Sequence, residues 1–254
     1  MFFRRRVGIE ASRKKLLRVI AGAPNVTFIK SYGNIGDDLI YAGTRQLLSK
    51  ISHVEVSGQN LGDASGHTAL ISGGGAWCHP YHEFMPKLLP LVEQRFERVI
   101  VLPSSFDVSV DGVREALRNT KALVFARERE SYRQIRELCN ADAAYDCAFF
   151  FDFSPYRRRG HGLLVAYRTD KESALEEIPN DNIDISVTCG GLEEWLWAIS
   201  RYETVETDRA HVMIAAALLG KRVEYRPSTY HKVPAIAKFS LKGFPVCPRM
   251  SDRR

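Results

Sequence analysis

From Asn25 onward, short apolar runs alternate with helix-length amphipathic segments. A chain with that rhythm is committed to a mostly parallel sheet covered by helices. Residues 26–29 read as the first strand and 38–49 as a helix with Leu39, Ala42, Leu47 and Leu48 inward. Strands are expected at 53–57, 69–72, 99–103 and 122–126, and helices at 80–95, 110–118 and 130–138. Proline, glycine and charge coincide at 154–160, which reads as a linker. The rhythm then restarts, with strands at 163–167, 183–188, 204–207 and 223–225 and helices at 192–202 and 208–219. The last helix is well signalled: Thr207 or Asp208 is placed to cap it and Gly220 to stop it. The expected organisation is therefore a basic segment (1–24), a Rossmann-like domain (25–153), the linker, and a shorter Rossmann-like domain (161–254) across a cleft.

At 254 residues, with 45% hydrophobic and 26% charged content, the chain can bury a substantial core. No apolar run approaches the roughly 20 residues a membrane-spanning helix requires. The N-terminus lacks the apolar stretch and cleavage site of a secretory signal. Five cysteines without C-x-x-C spacing argue against a disulfide framework or zinc site and for a reducing cytosol. The chain is thus expected to be cytoplasmic.

The net charge of +6 points to an anionic partner. Much of the excess lies in Arg4, Arg5, Arg6, Arg13, Lys14, Lys15 and Arg18, and in Arg157, Arg158 and Arg159. The first block reads either as a solubilising face or as attachment to anionic lipid, where each basic residue contributes about 1 kcal/mol. Neither block is interleaved with aromatics, which disfavours nucleic acid.

Three segments stand out as candidate sites. The first strand runs into Ser31-Tyr32-Gly33-Asn34-Ile35-Gly36-Asp37-Asp38. Gly33 and Gly36 permit positive φ or close approach of other atoms, and Asp37 or Asp38 is placed to cap the next helix. Gly73, Gly74 and Gly75 follow the third strand and admit either a ligand or a tight turn. Arg209 and His211 fall in the first turn of the alanine-rich helix, where free N–H groups and the helix dipole favour an anion. A guanidinium there suits phosphate or carboxylate, and an imidazole suits proton transfer. From spacing alone, a local pairing of Arg209 with Asp208 or Glu206 is the better fit. Arg127 follows a strand, as does Arg168, so each is placed either as an anion holder or on a solvated surface. His79, His82 and Glu83 do not make a metal site, because Pro80 interrupts them and no third ligand is evident.

In order, the segments 32–38, 72–75, 102–106, 126–131, 146–149 and 208–211 make the chain resemble the polysaccharide pyruvyl transferase family. The resemblance implies a fold like the GT-B glycosyltransferases and transfer of the pyruvyl group of phosphoenolpyruvate onto two sugar hydroxyls. The product is a ketal, with release of phosphate and no cofactor. It implies that Arg209 holds phosphoenolpyruvate with Arg168, and that His211 is the catalytic acid. Gly33, Asn34, Gly36, Asp37, Asp38, Gly73, Gly74, Gly75 and Arg127 then line the acceptor side. The acceptor is expected to be a saccharide of a cell-surface polysaccharide pathway, carried on lipid at the inner face of the membrane. A sugar-nucleotide glycosyltransferase and a non-catalytic scaffold of a polysaccharide assembly complex are the alternatives.

Overall fold

The computed structural model describes residues 2–249, with side chains from Gly8 onward. Two compact units divide the chain: one comprises Arg6–Gly33 and Ile40–Phe151, the other Asn34–Leu39 and the chain from Asp152 on.

The first unit contains most of α1 (Phe2–Ile20), β1 (Val26–Lys30), α2 (Ile35–Leu47) from Ile40 onward, β2 (His53–Ser57), β3 (Gly66–Ile71) and β4 (Gly74–Trp77). These are followed by α3 (Met85–Glu93), β5 (Phe96–Phe106), α4 (Asp111–Asn119), β6 (Leu123–Ala126), α5 (Arg129–Ile135) and β7 (Asn140–Ala143). Its sheet has the order β2-β1-β3-β5-β6-β7, with β4 added to β5, and every pairing is parallel.

Side-chain alternation along the strands buries both faces of this sheet. Ile29, Ala69, Ile71, Val99, Val101 and Val124 pack with Leu88, Val92, Val113, Leu117 and Ile135 of α3, α4 and α5. Their neighbours Phe28, Leu70, Ile100, Leu102 and Phe125 point the other way, onto Leu16 and Ile20 of α1 and Ile40 and Leu47 of α2. Each fully buried Val, Leu, Ile or Phe among them contributes about 1.5–3 kcal/mol. Strand order reverses between β1 and β3, the neighbours on either side of the point where the chain changes direction across the sheet. Open parallel sheets bind ligands beyond the carboxyl ends of such strands.

The second unit contains β8 (Leu163–Ala166), α6 (Ile185–Thr188), α7 (Leu192–Ser200), β9 (Thr204–Thr207), α8 (Ala210–Leu218), β10 (Arg222–Tyr225), α9 (Lys232–Phe239) and β11 (Val246–Pro248). Its four strands pair in parallel in the order β11-β10-β9-β8. Gly220 closes α8 as expected, at φ 84, with Lys221 N–H donating to Ala216 and Gly220 N–H to Ala217.

Several expectations are corrected. Residues 183–188 are not a strand. Ile183 N–H makes one bond to Val165, after which the chain turns into α6, because the Asp184 carboxylate is held by Thr169 and Arg209. β4 and β7 lie in stretches too glycine- or alanine-rich to signal a strand. α9 and β11 follow the strand expected to be last. α1 forms where only a basic segment was expected, and its Ser12, Leu16 and Ile20 are buried. The side chains of Arg4, Arg5 and Arg6 lie outside the described residues.

Candidate active site

In the second unit, β8 and β9 run side by side with Ala166 opposite Thr207, so Arg168 and the Asp208–Arg209 pair leave the sheet at adjacent carboxyl ends. The Thr207 hydroxyl donates to the Ala166 carbonyl at 2.8 Å and accepts the Arg209 N–H at 3.0 Å. Asp208 Oδ1 accepts the Arg168 backbone N–H at 2.8 Å, tying the two ends together. Arg209, expected within the helix, is instead its extended N-cap at φ −91 and ψ 120, and α8 has no side-chain cap. The Arg209 side chain therefore gives no bond to the first turn of α8, which carries the positive end of the helix dipole. His211 is the second residue of α8 and is half-buried.

Both arginines are buried and engaged by carboxylates of the same unit. Arg209 Nε and Nη2 donate to the two oxygens of Asp184 at 2.7 and 2.6 Å, and Nη2 also reaches Asp170 at 3.2 Å. Arg168 grips Asp170 through Nε and Nη2 at 2.7 and 2.9 Å, while its Nη1 meets Glu172. Glu172 is held in turn by Lys232 Nζ at 2.6 and 2.8 Å. Among the described residues, Nη1 of Arg209 is the nitrogen of these two guanidiniums left without a carboxylate.

Burial pushes the Asp170 carboxyl up, but the hydrogen bonds and charge of Arg168, with the charge of Arg209, bring it down to about 2. Asp208 behaves in the opposite way. Burial dominates and pushes its carboxyl up to about 6, despite the Arg168 N–H and the two guanidinium charges.

The glycine segment after β1 enters this unit as Asn34–Leu39. Asn34 Oδ1 accepts the Gly36 N–H at 2.8 Å and Asp37 Oδ2 accepts the Asn34 N–H at 2.9 Å, a reciprocal cap for α2. Gly36 does not adopt positive φ, and neither does Gly33. Gly36 is required by space: a Cβ there would lie 2.7 Å from His211 Nδ1 and 3.1 Å from His211 Cβ.

In the first unit, the carboxyl ends of β1 and β3 are joined by Ser31 and Ser72, whose hydroxyls lie 2.8 Å apart. Ser31 N–H also donates to Ser72 Oγ at 2.8 Å. Gly73 is pressed against β5, where a Cβ would come 2.3 Å from the Pro103 carbonyl. Gly74 takes φ 136, and with Gly75 opens β4. Arg127 is 1% exposed, so the surface reading does not apply to it. Its Nε donates to Ser105 at 2.8 Å and its Nη1 to Asp146 at 3.0 Å, bracing the ends of β5 and β6. The His79 and His82 rings stack 5.6 Å apart in the segment before α3.

The family model for polysaccharide pyruvyl transferases matches residues 34–223, well over half of the chain. The chain belongs to the polysaccharide pyruvyl transferase family. It is also similar to a functionally uncharacterised protein of Klebsiella pneumoniae whose crystal structure is known. The two share 24% identity over 96% of this chain and 99% of that one, with a TM-score of 0.77, a likeness of fold alone. No curated protein matches the chain significantly.

For a polysaccharide pyruvyl transferase, the matched span begins at the Asn34 cap and runs through both glycine loops and α8 to β10. Sequence reasoning brought Arg168, Arg209 and His211 forward but missed Asp170, Glu172, Asp184 and Lys232, which bind the arginines. Asp170 and Glu172 carried a faint signal, lying two and four residues after Arg168. Asp184 and Lys232 carried none, because they reach the cluster only through the fold. No helix among the described residues is long and apolar enough to cross a membrane.

Proposed function

We propose that this family member moves the pyruvyl group of phosphoenolpyruvate onto two hydroxyls of a saccharide, forming a ketal and releasing phosphate. The supporting observation is the packing of Gly36 against His211 at the uncapped start of α8, which joins two family segments around one imidazole. In this reading the N-terminal end of α8 and Arg209 Nη1 receive the donor's negative charge. Asp184 and Asp170 fix the guanidiniums of Arg209 and Arg168 so that their orientation is set before the donor arrives.

His211 delivers a proton to the methylene carbon of phosphoenolpyruvate, and a sugar hydroxyl attacks the oxocarbenium-like centre that results. The second hydroxyl then displaces phosphate. One hydroxyl proton restores His211 and the other leaves with the phosphate, so atoms and charge balance. Negative charge on the departing phosphate is stabilised by the same helix end.

The acceptor is assigned to the loops after β1 and β3, with Gly33 and Gly74 giving close backbone access. Asn34, Asp37, Asp38, Gly73, Gly75 and Arg127 shape those loops. The two parallel sheets are read as the Rossmann-like halves of a GT-B-like fold, the second reduced to four strands. The acceptor is read as lipid-linked, with exposed Lys14 and Arg18 of α1 meeting the anionic inner face of the membrane.

Titration with phosphoenolpyruvate and with UDP-sugars tests the donor. Binding of phosphoenolpyruvate, with phosphate release on addition of a saccharide acceptor, is expected. Binding of UDP-sugars alone would establish the glycosyltransferase alternative instead.

A further inference from the structure

The two ends of the second unit's sheet treat their cations differently. At the carboxyl ends of β8 and β9, Arg168 and Arg209 are bound by Asp170, Glu172 and Asp184. At the amino ends, cations gather without carboxylates. The turn into β8 carries Arg157, Arg158 and Arg159, and the turn into β9 carries Arg201. Lys221 and Arg222 lead into β10, and Lys242 precedes β11. Glu203 is the one acid in these four turns. Of the flanking acids, Asp152 is bonded to Ser154, and Glu224 lies two residues further along β10.

The fold draws the turns together. Lys221 Nζ donates to the Arg158 carbonyl at 2.9 Å and to the Ser200 carbonyl at 2.6 Å. His161 N–H donates to the Arg201 carbonyl at 2.9 Å, and Val223 N–H to Pro245 at 2.8 Å. The negative ends of α7 and α8 account for some of the charge, since Lys221 meets the last residue of α7 and Arg157 Nη2 reaches the Leu218 carbonyl at 3.3 Å. Arg158 lies over the Trp197 ring, 5.9 Å from its centre. The remaining four have no such role. The side chains of Arg159, Arg201, Arg222 and Lys242 are exposed and make no hydrogen bond or ion pair among the described residues. Beside them Leu163, the first residue of β8, is 45% exposed. It shares a register row with Thr204 and Arg222, so it leaves the same face of the sheet as Arg222.

We propose that this amino-end surface of the second unit docks on an anionic lipid bilayer. Guanidiniums without partners suit lipid phosphate and carboxylate groups. Leu163 then enters the boundary between headgroups and acyl chains. Nucleic acid offers the charge but no apolar layer to receive a leucine. The proposal rests neither on the donor-site reading nor on Lys14 and Arg18 of α1.

The test sediments the full chain with vesicles of phosphatidylcholine alone and of phosphatidylcholine mixed with phosphatidylserine. Arg159→Gln/Arg222→Gln and Leu163→Gln are run beside wild type. Both variants should melt near wild type, because the side chains replaced are exposed. Wild type is expected to bind only the phosphatidylserine vesicles. The arginine pair should lower that affinity about 30-fold, from about fivefold per cation, and flatten its salt dependence. Leu163→Gln should lower it several-fold with the salt dependence unchanged.

Wild-type affinity in either variant, or no binding by wild type, would overturn the proposal. Equal loss of duplex DNA by the arginine pair, with vesicle binding intact in Leu163→Gln, would make the surface a nucleic-acid site instead.

Discussion

The backbone of Gly36 lies so close to the His211 imidazole that a Cβ at Gly36 would fall 2.7 Å from Nδ1. Gly36 also sits in the first turn of α2, where alanine is a better helix former than glycine by about 1 kcal/mol. Gly36→Ala should therefore cost little stability while displacing His211. Turnover is expected to fall about 10²-fold, the scale of a 1 Å misplacement. Phosphate-release kinetics beside a thermal melt check this; a wild-type rate would detach Gly36 from the chemistry.

His211→Ala should lower phosphate release by about 10²–10⁴-fold, the range for loss of a general acid. The half-buried side chain makes a small contribution to the fold, so the melting temperature should move by only a few degrees. Phosphoenolpyruvate affinity should be nearly retained, because the helix end and Arg209 remain. A calorimetric titration of the variant separates loss of chemistry from loss of binding.

Arg209→Ala should behave differently. It leaves Asp184 without its guanidinium, and breaking a buried pair costs about 3–5 kcal/mol. Arg209→Lys keeps the charge but cannot reproduce the two-pronged grip on Asp184. Urea denaturation should rank wild type above Arg209→Lys and Arg209→Ala lowest. Equal stability of all three would show that the Asp184 pair carries no structural weight.

Asp208 also predicts how stability depends on pH. Its carboxyl is raised from an ordinary value of 3.8 to about 6 in the folded protein, so the native state binds more protons between those values. Its contribution therefore falls as pH rises from about 4 to 6, by at most about 3 kcal/mol. Asp208→Asn should remove that fall and be the more stable protein at pH 8. Denaturation midpoints at pH 4.5 and pH 8 for the two proteins give the answer; parallel curves would reject it.

Membrane attachment is best probed without removing α1, because Leu16 and Ile20 are part of the core and truncation would expose it. Lys15 is paired with Asp142 at 2.7 Å, and Arg13 reaches the Phe150 carbonyl. Lys14 and Arg18 are exposed. Lys14→Glu with Arg18→Glu should weaken sedimentation with phosphatidylserine vesicles at low salt, and high salt should weaken wild type similarly. Unchanged sedimentation would reject the attachment.

Much of this protein was determined by its sequence alone, because the signals concerned are local. Strand and helix periodicity, the Gly220 stop and the glycine loops are written in consecutive residues, so the parallel α/β class and the candidate segments were legible. The family likeness rests on those same short segments. Only the tertiary structure decided what the side chains do. Asp184 and Lys232 lie 25 and 23 positions from Arg209, so no spacing rule could join them to it. Gly36 reads as a turn residue until the fold brings His211 against it. Arg127, which spacing alone could not tell from a surface residue, is buried against Ser105 and Asp146, and residues 183–188 turn into a helix because Asp184 is drawn to a guanidinium. Burial and charge pairing depend on which distant atoms become neighbours, and that is settled by packing.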